Sequence, residues 1–245
     1  MKIKLSRKAP AESDRHFSGC AICGAPLIYD SGAVDRTCAV CRKTRVSNAV
    51  CESGHFVCDD CHGTAAASVM AFLLKSSERD AGALLAETLR LAGVHMHGPE
   101  HHFIVPCVLL TAYKNCGGKL DLERALTLAV SRGKQVPGGA CGYLGVCGAA
   151  AGAGIFAGIV LGSTPKSAAV WSLPQELTAL CLTEIASHSG PRCCKRTSRA
   201  AVEIGTRFTR ERLGIDMQSS GGSCEYPHRN RDCLRAACPY FDKEI

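Results

Sequence analysis

Cysteine limits what this chain can become: there are seventeen in 245 residues, and seven of them, with one histidine, fall into a single run of short spacings. Cys20-x2-Cys23 and Cys38-x2-Cys41 stand fourteen residues apart. Each pair fits a tight turn offering two thiolates, and two such turns complete a tetrahedral zinc site. Cys51-x3-His55-x2-Cys58-x2-Cys61 follows with four more ligands, so the run predicts two zincs. Two pairings satisfy it. A sequential one joins Cys20, Cys23, Cys38 and Cys41, then Cys51, His55, Cys58 and Cys61. An interleaved one joins Cys20/Cys23 to Cys51/His55, and Cys38/Cys41 to Cys58/Cys61. His62 is an alternative to His55. So short a segment has too little apolar surface to fold unaided, and structural zinc supplies the staple. Arg36, Arg42, Lys43 and Arg45 would suit docking to RNA or another nucleic acid, but the interleaved aromatics of such surfaces are missing.

The compartment decides how the other cysteines are read. Met1 to His16 is polar and charged, with no apolar signal region, which predicts a cytoplasmic protein. In a reducing cytosol the thiols are metal ligands or redox groups rather than disulfides. Net charge is +7, which is compatible with RNA, acidic proteins or anionic substrates and selects none of them. Leu144 to Gly162 is nineteen residues without a charge, but six are glycine. Gly154, Gly158 and Gly162 share one helical face and would let another backbone come close. A buried core helix is expected there, and no membrane span.

The fold expected is mainly α: a small N-terminal zinc-binding cysteine-pair module followed by an all-α helical domain. Residues 1–18 read as a tail, 19–63 as the module, 64–218 as the helical domain and 219–245 as a cysteine-containing C-terminal tail. In the module, Pro26–Tyr29 and Thr44–Val46 are strand-like and Asp30-Ser31-Gly32 is turn-like. Helices are expected from a Thr64 cap to Leu74, over Arg79–Leu91, over His102–Asn115, from an Asp121 cap to Arg132 with Gly133 as stop, through the Gly-rich segment, from Ser172 with Gln175 at the capping-box position to His188, and over Arg192–Leu213.

Four constellations in this second part carry chemistry. His95-Met-His97-Gly-Pro-Glu100-His101-His102 puts four imidazoles and a carboxylate at a Gly-Pro bend, ligands for a transition ion or groups for proton transfer, with Glu100 as ligand or general base. Cys141 and Cys147 lie before the Gly-rich helix, where the helix dipole favours thiolate. Cys193 and Cys194 stand at another helix start beside Lys195 and Arg196. Cys224-x8-Cys233-x4-Cys238-Pro239 ends in the Cys-Pro of some iron–sulfur ligand runs. Cys107, Cys116 and Cys181 lie within helical runs and read as core. Neither a phosphate-binding glycine loop nor a Gly-x-Ser-x-Gly nucleophile turn is present.

Cys51-Glu-Ser-Gly-His55, His95-Met-His97-Gly-Pro-Glu-His101-His102, Pro137-Gly-Gly and Gly190-Pro-Arg-Cys-Cys-Lys resemble the matching stretches of a cysteine-rich family of anaerobic prokaryotes. That family is a domain of unknown function, sometimes joined to radical-SAM domains, and the likeness spans Cys20 to Tyr240. Cys107-Val-Leu-Leu and Gly145-Val-Cys147-Gly-Ala-Ala-Ala-Gly152 are similar to a redox-active helical family named for Cys, Gly-Cys-Ala-x-x-Gly, Cys and Cys, although Cys147 and Gly148 stand in the opposite order here. These resemblances imply thiol or iron–sulfur redox work, with a radical-SAM or redox partner protein. The expectation is a metalloprotein of electron or sulfur transfer. Cys141, Cys147, Cys193 and Cys194 would hold an iron–sulfur cluster or other metal, with Cys224, Cys233 and Cys238 closing over it. His95, His97, His101 and His102 would form a neighbouring metal or proton-transfer site, with Glu100, Cys141 and Cys147 as further catalytic candidates. The rival readings are a zinc-module adaptor for RNA or a partner protein, and a metal-dependent enzyme built on the histidines.

Overall fold

The computed structural model describes residues 19–62 and 65–242. It is mainly helical. One antiparallel pair of strands, β1 (Leu27–Thr37) and β2 (Thr44–Cys51), precedes α1 (Asp59–His62), α2 (Ala66–Lys75), α3 (Ala81–Leu89), α4 (Glu100–Asn115), α5 (Leu122–Gly133), α6 (Ala140–Tyr143), α7 (Gly148–Val160), α8 (Ser172–Ala186) and α9 (Cys194–Leu213). The Gly-rich segment forms α7, of 13 residues. No described helix is long and apolar enough to cross a membrane.

Helix α4 is the centre. Thirteen of its 16 residues are buried, so it has no solvent face, and α2, α3, α5, α7 and α9 pack around it. Glycines set the closest of these contacts. At Gly152 of α7 a Cβ would stand 2.8 Å from Pro106 Cδ and 2.9 Å from the His102 carbonyl oxygen. Gly148 leaves room for the His102 ring in the same way, and Gly154 meets Thr178 and the Pro174 carbonyl of α8. Gly162 does not continue this stripe. It follows the last turn of α7 with φ +59° and no neighbour that a Cβ would meet, a left-handed stop. Gly133, by contrast, is not a stop: it is the last residue of α5, where a Cβ would strike Phe103.

Asp121 caps α5 as expected, accepting from the Arg124 N–H at 3.1 Å. Ser172 does not cap α8: it is already helical, and Trp171 precedes it without a side-chain cap. The Thr64 cap lies outside the described residues. The strands run further than the sequence suggests. Asp30 to Gly32 does not end β1; it belongs to a bulge between the pairs Tyr29↔Ala49 and Val34↔Ser47. Tyr143 of α6 donates to the Asp30 carbonyl at 3.0 Å, one of the ties between module and helices.

The start of α9 buries a polar run, Lys195 to Arg199. The C-terminal tail satisfies it. Arg199 donates to the carbonyls of Gly222 and Ser223, and Lys195 Nζ lies 4.7 Å from the centre of the Tyr226 ring. Gln218 and Ser220 anchor the tail on Asp80 and Ala81 at the start of α3.

Replacing Gly152 by Ala adds about 1 kcal/mol of helix propensity but forces α7 away from rigid backbone and ring atoms, an overpacking cost of about 1–3 kcal/mol. Gly142, with nothing within 4 Å of its Cβ position, is the control. Thermal unfolding should show Gly152→Ala melting below the parent and Gly142→Ala at or slightly above it.

Candidate metal centres

The module has almost no core of its own. Its buried apolar cluster is Cys38, Phe56 and Cys58. Three turns and α1 present the ligands. Cys20–Cys23 forms a knuckle closed by Gly24 at φ +70°, with the Gly24 N–H on the Cys20 carbonyl at 2.8 Å. Cys38–Cys41 is the tip of the β1–β2 hairpin, where Arg42 takes φ +61°. Cys51 and His55 flank a turn with Gly54 at φ +81°, and Cys58 and Cys61 lie one turn apart at α1.

The ligand atoms gather as Cys20, Cys23, Cys51 and His55, and as Cys38, Cys41, Cys58 and Cys61, each set within 4.8 Å. This is the interleaved pairing. Cys23 Sγ lies 3.9 Å from Cys51 Sγ and 3.4 Å from His55 Nδ1, and Cys41 Sγ lies 3.7 Å from Cys58 Sγ. One tetrahedral zinc with Zn–S of about 2.3 Å holds sulfurs about 3.8 Å apart, so both sets have the size for a single ion. Backbone N–H groups already point at the sulfurs: Ile22 at Cys20, His55 at Cys51 and Cys58 at Cys38. Burial drives the Cys20 thiol up to about 11, whereas at Cys23 burial is outweighed by the Ala25 N–H and His55, which bring it down to about 6. Of the four basic residues, Arg36 pairs with Asp30, and Arg45 lies 3.6 Å from Asp60.

The four histidines of the Gly-Pro bend do not converge as a unit. His95 joins Glu100 and, from the module, His62, their ligand atoms within 4.8 Å of one another. The Glu100 carboxylate is fully buried. Its Oε1 accepts from the His95 backbone N–H at 2.8 Å and lies 3.2 Å from His95 Nδ1, and Oε2 has no partner. Burial alone would raise this carboxyl; His95 and the other imidazoles hold it at about 2. His101 donates to the Gly98 carbonyl and His102 to the Val136 carbonyl, both from Nδ1. His97 accepts from the Cys194 N–H through Nδ1 and donates through Nε2 to Asn230 Oδ1 at 3.2 Å. Consecutive side chains at a bend radiate, which is why adjacency in sequence did not become one site.

The seven remaining candidate cysteines are likewise divided, and the division runs between Cys193 and Cys194. Cys193 lines one cavity with Cys224, Cys233 and Cys238, together with Arg196, Arg199 and Asn230. Cys194 lines another with Cys141, Arg192, His97, His102 and Tyr29, a space of about 140 Å³ between the module and the helices. Cys147 is the residue just before α7 and lies close enough to Cys141 and Cys194 for their charges to interact. At Cys141, Cys193 and Cys194 burial outweighs any pull of a helix dipole towards thiolate. Burial raises Cys141 and Cys193, and takes Cys194 up to about 12 despite Arg192. Cys107 and Cys181 are core residues, and Cys116 sits at the end of α4 with its thiol towards the Arg79 carbonyl. Sequence spacing offers His62 only as a substitute for His55; no local spacing ties it to His95 and Glu100.

A model described as a family of unknown function (DUF5714) matches residues 69–241, well over half of the chain, and the chain belongs to that family. No curated protein and no solved structure matches. The interleaved pairing makes a definite demand on the module. In the full chain, the double variant Cys23→Ser/Cys51→Ser should keep one of the two module metals, and Cys23→Ser/Cys41→Ser should keep neither. Metal analysis giving the reverse would establish the sequential pairing.

Proposed function

We propose that this chain is a redox metalloprotein in which two structural zincs hold the module and an iron–sulfur cluster sits among Cys193, Cys224, Cys233 and Cys238. The observation that carries this reading is that four thiols, from the start of α9 and from the tail, line one cavity, yet no three of them bring their sulfurs within 4.8 Å. The two module sets, by contrast, are drawn in to single-ion distances. Thiols that surround a common space without closing to that distance suit a polynuclear cluster, and the space of about 20 Å³ between them must widen to take one.

The donor set fits such a group. N–H donors from Tyr226, Arg235 and Asn230 point at Cys224, Cys233 and Cys193. Arg196 and Arg199 in the wall oppose the negative charge that four thiolates bring. Hydrogen bonds and nearby charge of this kind tune the potential of a bound cluster, which supplies one-electron transfer. Burial keeps Cys193 and Cys224 protonated at neutral pH, so loading the site releases protons.

The second cavity is where electrons would be used. A continuous polar path joins the two: the Cys194 N–H to His97, His97 to Asn230, and Asn230 Nδ2 to Cys193 Sγ at 3.6 Å. Arg192, Tyr29, Cys141 and Cys194 give that cavity a cation and thiols. Cys233 and Cys238, partly exposed on the outer side, offer the edge a redox or radical-SAM partner protein would approach in the cytoplasm.

Protein purified without oxygen tests the reading. It should contain iron and acid-labile sulfide and absorb broadly in the visible. Cys224→Ser/Cys233→Ser should lose both while keeping the module zinc, and Cys141→Ser should keep the cluster. Zinc with no iron or sulfide in the parent protein would overturn it.

A further inference from the structure

We propose that His62, His95 and Glu100 form a third metal site, a mononuclear centre for a divalent first-row transition ion that joins the module to the helical domain and keeps coordination positions free for exogenous ligands.

The three residues come from three separate segments: His62 is the last residue of α1, His95 lies in the loop after α3, and Glu100 opens α4. Their ligand atoms lie within 4.8 Å of one another. The His62 and His95 rings meet edge to face with centroids 5.0 Å apart. Two imidazoles and one carboxylate suit Zn²⁺ or Fe²⁺ and leave open positions that water or a substrate can take.

Two orphaned atoms point to a ligand. Glu100 is 0% exposed and its Oε2 has no hydrogen-bond partner, and the buried Nδ1 of His62 has none either. A buried carboxylate oxygen without a partner is costly, and a cation is the partner that removes the cost. The nearby buried cation does not fill this role. Lys195 is turned to the Tyr226 ring and to the Leu89 carbonyl at 3.5 Å. Gly98 leaves the room in which the carboxylate lies, since a Cβ there would fall 2.1 Å from Oε2. His62 also lines the cavity between the module and the helices, beside Gly98 and Pro99, so the site borders the space that holds Cys141 and Cys194. His101, buried and fixed through Nδ1 on the Gly98 carbonyl, stands 3.9 Å from Glu100 Oε1 and helps to hold the carboxylate in place.

The proposal does not depend on the iron–sulfur reading, because no residue is shared. The test is Co²⁺ titration of the full chain with its module zincs in place. The expected result is one equivalent bound with weak visible ligand-field bands and no strong near-ultraviolet thiolate-to-cobalt band. His95→Ala and His62→Ala should each weaken that binding by about 100-fold or more, while Cys224→Ser leaves it unchanged. His62 lies on a short, partly exposed helix, so His62→Ala guards against a folding defect in His95→Ala. Cobalt that binds with a thiolate band, or with equal affinity in the parent and both histidine variants, would overturn the site. Those outcomes leave the iron and sulfide content of the cysteine cavity untouched, so the two readings fail separately.

Discussion

The structure hangs on the burial of α4. A helix covered on every side has its apolar side chains accounted for by packing, but the N–H groups of its first turn still need partners, and those of His101 and His102 find them in the Gly98 and Pro99 carbonyls. Glu100 stands in that turn, where the helix dipole favours a negative charge. The histidines on either side of it supply hydrogen bonds to its carboxylate or tie down the neighbouring carbonyls. The chemistry-bearing end of the molecule is thus the end of its most buried element, held by five helices. That gives the side chains there few alternative rotamers, and it explains why small residues line the neighbours. Gly98, Gly148 and Gly152 each yield space to Glu100, the His102 ring or the His102 backbone.

The module is held by a different force. With only Cys38, Phe56 and Cys58 as a buried apolar cluster, it has little to gain from water exclusion. Ligand convergence replaces packing. The interleaved pairing crosses the chain over itself, so each site fixes two segments distant in sequence. It also sets the direction of α1, since Cys58, just before it, and Cys61 within it serve one site, and its last residue, His62, faces the helical domain. Asp59 accepts from the Gly138 N–H at 2.8 Å, and Arg231 of the tail donates to the Gly24 carbonyl at 3.0 Å, so the module is tied to two other parts of the chain.

What the sequence disclosed is what short-range geometry determines. Asp121 as a cap, the approximate extents of α5 and α9, and the eight module ligands, though not their pairing, could be read, because a turn or a helical period fixes the neighbours of each residue within a few positions. The Gly-rich stretch was legible as a close-packed helix for the same reason, though Gly162 and Gly133 serve other purposes than spacing suggested. The groupings that could not be read are those that depend on side-chain direction or on distant segments. His95 and His97 are two residues apart and face different partners. His62 and Glu100 are thirty-eight positions apart and meet. The helix dipole was rightly located at Cys193 and Cys194, but desolvation is the larger effect at a buried thiol and reverses the expected direction.

Cys193 is extended, with φ −139° and ψ 104°, and Cys194 begins α9. That change of backbone conformation across one peptide sends neighbouring thiols into different cavities. The shortest covalent route between the two chambers is therefore a single peptide unit. The polar path through His97 and Asn230 runs alongside it, so the two chambers are joined twice, by one peptide unit and by a chain of hydrogen bonds. Insertion of one residue between Cys193 and Cys194 would leave every ligand type present, yet it would lengthen that link and change the direction of one thiol relative to the other.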